Sequence, residues 1–503
     1  MSVQKMINKD IQITGAAIFS YSAIFFSIIS GLFYTPWMVR TIGEEQYALY
    51  TLAMSIVNLF MIDFGISSAI TKFLSMYYAK GEQSEAKVFI GIVYKIFGVI
   101  SLVVGAVLLV YYFKIDSIYN NFTAEEIAIF KRLYVIVGGF SVVTFPFCAL
   151  NGILMANEKF IAVKACNLGQ KISSVVLIIL SLKVKCSVYV LIFVHIITHV
   201  VALMIKYWIV NRKMHIKANY TIWDSNIAKR LFGYSAWSTV SNLAGRCIFN
   251  IMPTLIAVFS GTTDVTIFSF AATLEGYVYT FSDAINGLFM PRISKYLINE
   301  GREDEFNSLL NKVAKFHVYT IGLIYIAFIS VGKEFVYMWL GQEYEKVYWC
   351  AILLIFPSVL DVPQQVARSA LLVKDIVKEQ AFVQITMAIV NVIVSIALLP
   401  RIGIVGAAVA VCISYLVRTL GMNILYKKYL DLKILKYFKN TYGKWIVIAC
   451  VTFFVIKCIK SYIIINGVFD FFVVSLLIVI IYSCFVIAFN SIEFIKVYRK
   501  FWS

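Results

Sequence analysis

Along one apolar run of this 503-residue chain, Ser238, Asn242, Arg246 and Asn250 recur every four residues. On an α-helix that spacing gathers them into one polar stripe. A guanidinium in such surroundings is an anion receptor, because its planar fork of donors matches the oxygens of a phosphate or a carboxylate. Arg246 lies about fifteen residues into the run, near the middle of a spanning helix at 1.5 Å of rise per residue. The next run carries Glu275, Tyr279 and Asp283, again four apart, with Glu275 at a depth similar to that of Arg246. A Glu275–Arg246 pair would lower the desolvation penalty of both charges, and breaking it would couple ion binding to a change of conformation. Substrate contact and a purely structural pair both stay open for Arg246 at this stage.

Ionisable groups at membrane depth are expensive and are functional candidates by default. Asp361, Gln364, Gln365 and Arg368 share roughly one helix face, while Lys95 and Arg418 lie inside two further apolar runs. The candidate substrate-binding set is therefore Arg246, Asn242, Asn250, Lys95, Gln365 and Arg418. The candidate ion-coupling or gating set is Glu275, Asp283, Asp63 and Asp361. Arg368 falls near a helix end, where a long basic side chain snorkels toward water. His195 and His199 stand four apart with no carboxylate nearby in sequence, so they read as a hydrogen-bonded structural pair. Neither a metal site nor a cofactor is expected.

These residues need membrane-spanning elements to hold them. The chain is 61% hydrophobic and 14% charged, with mean hydropathy +0.84, against roughly 25% charged residues in soluble domains. A net charge of +18 would suit nucleic acid, but the basic residues sit in short loops between apolar runs, so no nucleic-acid partner is expected. The nine cysteines show neither zinc spacing nor a disulfide framework. The first apolar run is too long for a signal-peptide core and reads as the first spanning helix.

With about 20 apolar residues needed per span, the sequence predicts fourteen: 15–38, 47–70, 88–113, 130–155, 161–182, 187–210, 231–258, 264–289, 313–332, 347–372, 380–399, 403–426, 444–462 and 469–489. Thr123 ahead of Glu126 marks a capping box opening the fourth. Sorting Lys and Arg by alternate loops puts Lys72, Lys80, Lys87, Lys159, Arg212, Lys213, Lys427, Lys428, Lys433 and Lys436 on the same side as both termini, which is the cytoplasmic signature.

The chain also repeats itself. Pro36 returns as Pro253, Gly43 as Gly261, Asp63 as Asp283, Ser75-x-Tyr77 as Ser294-x-Tyr296 and Gly81 as Gly301, with offsets of 217 to 220 residues. Six intervening spans keep both copies in the same orientation, so the pseudo-two-fold axis runs along the membrane normal. A fainter pairing sets Pro146 against Pro357, and Pro36, Pro146, Pro253 and Pro357 are expected to bend their helices. The expected organisation is a six-helix bundle at 1–212, a basic cytoplasmic linker at 213–229, a second bundle at 230–428, and a basic linker with helices 13 and 14 at 429–503.

On the stretches "VRTIGEEQYALYTLA", "DFGISSAITKF" and "YYAKGEQSEAK", and on the six-plus-six-plus-two layout, the chain resembles the polysaccharide-transporter branch of the MOP superfamily, which includes Wzx-type O-antigen flippases. The resemblance implies an all-α membrane protein of the bacterial cytoplasmic membrane. It would translocate an undecaprenyl-pyrophosphate-linked oligosaccharide by alternating access, coupled to an ion gradient. It further implies membrane lipids, a polysaccharide polymerase and glycosyltransferases as partners, and a monomeric chain. A MATE-type cation antiporter is the alternative, and an acidic cavity with few basic groups would favour it. A membrane enzyme would need a D-x-D motif or a catalytic histidine beside a large polar loop, and the sequence offers neither.

Overall fold

Hydrocarbon offers no hydrogen-bond partners, so each backbone group within a span must be satisfied locally, and helices follow. The computed structural model describes residues 3–60, 66–184, 187–216, 218–287, 303–374, 376–463 and 467–501, and these are helical with short connections. The helices are α1 (Val3–Ile42), α2 (Glu44–Phe60), α3 (Ile66–Lys80), α4 (Gln83–Ile118), α5 (Ala124–Thr144), α6 (Ala149–Ala156), α7 (Phe160–Val184), α8 (Val188–Trp208) and α9 (Ser225–Ser260). They continue as α10 (Thr262–Gly287), α11 (Glu303–Trp339), α12 (Glu345–Asp361), α13 (Gln365–Val373), α14 (Val377–Ile402), α15 (Ile404–Leu430), α16 (Ile434–Lys460) and α17 (Val468–Phe501). Each of the fourteen expected spans is helical over its described residues except at the end positions Ser187, Gly403, Ser461 and Tyr462.

Among the described residues, eleven stretches are long and apolar enough to cross a membrane, or twelve if the bent pair within α9 counts as one. The chain is a multi-pass membrane protein. Of the expected spans outside that count, α2 has 17 residues. The other, α10, is diluted by Thr266, Ser269, Glu275 and Ser282, all buried. Large apolar side chains such as Val99, Leu102, Val103, Leu109 and Phe113 stand exposed along α4, as a lipid-facing surface requires.

The chain divides into two compact units, 1–266 and 267–503. The boundary falls one helix beyond the basic linker, because α9 packs on α2, α3 and α4. The linker itself is packed: Met214, Ile216 and Ala218 lie on the first unit's core, and the Asn219 N–H donates to Lys87 O at 2.9 Å. Gly91 permits this approach, since a Cβ there would overlap the Asn219 carbonyl. In the second unit the core joins α11, α13, α15 and the start of α16 through Phe306, Leu310, Val366, Leu371, Met422 and Tyr437. Gly322 on α11 plays the same part for α16, leaving room for the Trp445 indole. The expected capping box is present: the Thr123 N–H donates to Glu126 Oε2 at 2.8 Å, and the Glu126 N–H to Thr123 Oγ1 at 3.2 Å.

Candidate functional site

Both units contain a helix broken at a proline, and a buried cation reaches each break. In the first unit the break is a 3-10 turn, Phe145–Cys148, between α5 and α6. Pro146 has no N–H to give the carbonyl four residues earlier, that of Val142. The Ser101 hydroxyl on α4 donates to that carbonyl at 2.5 Å. In the second unit the break is the 3-10 turn Val362–Gln364, between α12 and α13. Pro363 there orphans the carbonyl of Val359, and the Tyr442 hydroxyl donates to it at 3.0 Å and to Leu360 O at 3.2 Å. The Tyr437 hydroxyl donates to Pro363 O at 3.0 Å. Pro363 lies 217 residues after Pro146, the offset that also separates Pro36 from Pro253. The pairing of Pro146 with Pro357 is corrected accordingly: Pro357 sits inside continuous α12.

Asp361 ends α12 just before the second break. Its Oδ2 receives Arg368 Nη2 from α13 at 2.5 Å and forms an ion pair with Arg418 from α15. The Arg418 guanidinium lies 4.4 Å from the centre of the Tyr415 ring, a cation–π distance. Glu275 on α10 is buried, and the Ser358 hydroxyl donates to its Oε1 at 3.1 Å. The node thus holds two carboxylates and two guanidiniums, with Arg418 and Asp361 each about 5% exposed. Its hydrogen bonding is incomplete. Among the described residues, no partner meets the buried Gln364 Nε2, either amide atom of Gln365, or the Nε atoms of Arg368 and Arg418. Such groups are costly where they stand.

The first unit's node is purely cationic. Lys206 on α8, about 5% exposed, donates to Asn151 Oδ1 on α6 at 3.0 Å and to Asn167 Oδ1 on α7 at 2.8 Å. Among the described residues no carboxylate meets it. Two helical turns earlier, His199 Nδ1 and Gln170 Nε2 are 3.1 Å apart, and Phe140 stacks edge-on to the same imidazole. The structural reading of His199 agrees with that geometry.

The structure therefore brings Glu275, Asp361, Gln365 and Arg418 into one unit's interior. Arg368, expected to snorkel, instead turns inward to Asp361. Lys95 leaves the apolar face of α4 for the linker, with Nζ 3.4 Å from Ile222 O and 5.9 Å from the centre of the Trp223 ring. Asn250 is partly buried on α9. Asp63 and the side chains of Asn242, Arg246 and Asp283 lie outside the described residues, and the Glu275–Arg246 pair with them. Sequence reading passed over Lys206 and its two asparagines, and over Tyr437 and Tyr442. The one available signal was polar residues at helical spacing in α7, where Asn167 and Gln170 stand three apart.

The chain is thus a multi-pass membrane protein, helical over its described residues, with one proline-broken helix and nearby buried charge in each unit. Comparison with solved structures agrees. The fold matches the lipid II flippase MurJ in an inward closed conformation, with TM-score 0.71 and 16% identity over 97% of this chain and 100% of that one. It also matches an inward-facing MATE multidrug transporter of the MOP superfamily, with TM-score 0.61 and 13% identity over 82% of this chain and 98% of that one. Residues 14–297, more than half of the chain, match the model of the polysaccharide biosynthesis protein family. The chain belongs to that family. Among curated relatives, the probable low-salt glycan biosynthesis flippase Agl15 of Haloferax volcanii is 21% identical over 192 residues. That alignment spans 38% of this chain and 40% of the relative's length.

Proposed function

We propose that this chain is a flippase that carries an undecaprenyl-pyrophosphate-linked oligosaccharide repeat unit across the bacterial cytoplasmic membrane, with both termini in the cytoplasm. The observation that carries the reading is the conjunction of a polysaccharide biosynthesis family with a transporter fold. A biosynthetic chain built in this way contributes by moving an intermediate. The buried charges favour an anionic cargo. Lys206 donates to two amide oxygens and, among the described residues, meets no carboxylate, and Arg418 is held by a carboxylate it shares with Arg368.

In this reading Arg246, Asn242, Asn250, Lys95, Gln365 and Arg418 serve the pyrophosphate and sugar. Glu275, Asp283, Asp63 and Asp361 serve ion coupling and gating. The Asp361–Arg368–Arg418 node supports such a role, since protonation or ion binding at one carboxylate would release a guanidinium to an incoming phosphate. Six helices, six helices and two appended ones form the working parts. Membrane lipids, a polymerase and glycosyltransferases are its partners, and the chain acts as a monomer.

The test is Arg246→Ala and Arg246→Lys in a bacterial strain that depends on this chain for its surface glycan. Loss of glycan with alanine and partial retention with lysine is expected at unchanged protein levels. Full glycan with Arg246→Ala removes Arg246 from the mechanism. The carboxylates Glu275 and Asp361 are what a MATE-type cation antiporter would use, so drug resistance conferred on a sensitive host would replace the flippase reading.

A further inference from the structure

The first unit holds a buried charge that no carboxylate among the described residues answers. Lys206, about 5% exposed, lies in the last turn of α8. A lysine this deeply buried is ordinarily paired with an acid. Here its ammonium donates instead to Asn151 Oδ1 at 3.0 Å and to Asn167 Oδ1 at 2.8 Å. Neutral oxygens hold the ammonium in place but leave its charge uncancelled.

That arrangement fixes what the two asparagines present. An ammonium only donates, so each amide turns its oxygen toward Lys206 and its NH2 group away. Neither Nδ2 has a hydrogen-bond partner among the described residues, and neither is sealed from the surface. Both asparagines are only partly buried. Lys206 itself has a third N–H beyond the two already engaged. The node is thus a set of donors around one positive charge, with both of its amide oxygens occupied. A cation would meet the repulsion of the ammonium, whereas a phosphate oxygen finds charge and donors together.

Its place in the fold suits a ligand that arrives from one membrane surface. On α8 the exposed Phe193, Ile197, Val201, Met204 and Ile205 mark the lipid-facing side. Helical spacing puts Lys206, His199 and His195 on the opposite side. The contact of Gln170 with His199 at 3.1 Å is a second polar rung between α7 and α8, deeper in the span. With both termini in the cytoplasm, Lys206 stands at the cytoplasmic end of α8, where a flippase loads its cargo.

We propose that Lys206, Asn151 and Asn167 form a seat for a phosphate of the cargo's pyrophosphate, in addition to the residues assigned above. The identity of the cargo rests on the flippase reading; the anion chemistry of the seat rests on this node alone.

The test uses the full chain in phosphatidylcholine nanodiscs and reads the thermal unfolding midpoint. Inorganic pyrophosphate should raise the midpoint saturably, and sodium chloride at matched ionic strength should not. Farnesyl pyrophosphate in the bilayer, a lipid-borne form of the same group, should raise it too. A response to the inorganic ion without one to farnesyl pyrophosphate identifies a soluble anion as the occupant and overturns the assignment to cargo. Lys206→Gln should weaken pyrophosphate binding at least about tenfold, the loss of one charge-assisted hydrogen bond. Asn167→Asp gives Lys206 a built-in carboxylate, so the response to pyrophosphate should disappear. If Lys206→Gln does not fold, Asn167→Asp decides alone. No saturable response in the wild-type chain, or an undiminished response in either folded variant, overturns the proposal. The flippase reading fails by a different result, a wild-type chain that restores no surface glycan to a strain lacking it. Full glycan with Lys206→Gln at unchanged protein levels removes only the seat.

Discussion

Replacing Tyr442 by phenylalanine removes one oxygen atom and, by the geometry of the break, should loosen a helix on which Tyr442 does not reside. Pro363 cannot donate to the Val359 carbonyl, and the Tyr442 hydroxyl stands in at 3.0 Å. Both residues are buried, Tyr442 at 4% and Val359 at 1% exposure, so water is a poor substitute. A typical hydrogen bond contributes about 0.5–1.5 kcal/mol net, but a buried carbonyl left unpaired costs about 1–3 kcal/mol. That range corresponds to a rise of about 5- to 150-fold in local opening at 25 °C. Amide exchange measured across 359–368 in the reconstituted chain should show it. Tyr482→Phe is the control. Its hydroxyl donates to Tyr319 O at 2.9 Å, inside continuous α11, where that carbonyl also has a helical partner, so its loss should stay under about 1 kcal/mol. Pro363→Ala restores the missing N–H and should cancel at least half of the Tyr442→Phe effect in a double-mutant cycle. If Tyr442→Phe leaves exchange at 359–368 no faster than Tyr482→Phe does, or if Pro363→Ala fails to compensate, the carbonyl-capping argument is wrong.

The first unit offers the parallel experiment: Ser101→Ala uncovers the Val142 carbonyl and should raise exchange across 142–149 by a similar factor, about 1–3 kcal/mol. Asp361→Asn strips two buried guanidiniums, Arg368 and Arg418, of their shared carboxylate and should destabilise by about 3–5 kcal/mol, whereas Arg418→Leu leaves the Asp361–Arg368 pair intact and should cost less; equal unfolding midpoints for the two single variants would contradict it. Gly91→Ala drives a Cβ into the Asn219 carbonyl, so the 214–224 segment should become the first site of limited proteolysis, which an unchanged digestion pattern would refute.

Much of the fold was legible because hydrocarbon imposes local rules. Apolar runs of about 20 residues mark helices whatever they pack against, and the Thr123–Glu126 box opens α5 through contacts three residues apart. The repeat was legible for the same reason, since Pro36 and Pro253 occupy matching places in matching runs. The choice between Pro357 and Pro363 was not. Both prolines lie in one apolar stretch, and the donors that make a break tolerable come from Tyr437 and Tyr442, 74 and 83 residues away.

Charges divide in the same way. The sequence alone placed Arg418 and Asp361 in spanning segments, where an ionisable group is costly and so a functional candidate. Only the packing of α15 against α12 and α13 decided that they find each other, that Arg368 turns inward to join them, and that Lys206 is met by two asparagines in place of a carboxylate. Helical periodicity fixes the face on which a residue lies, since that depends on neighbours three and four positions away. What lies opposite that face depends on a different helix, and no local spacing in the chain records it.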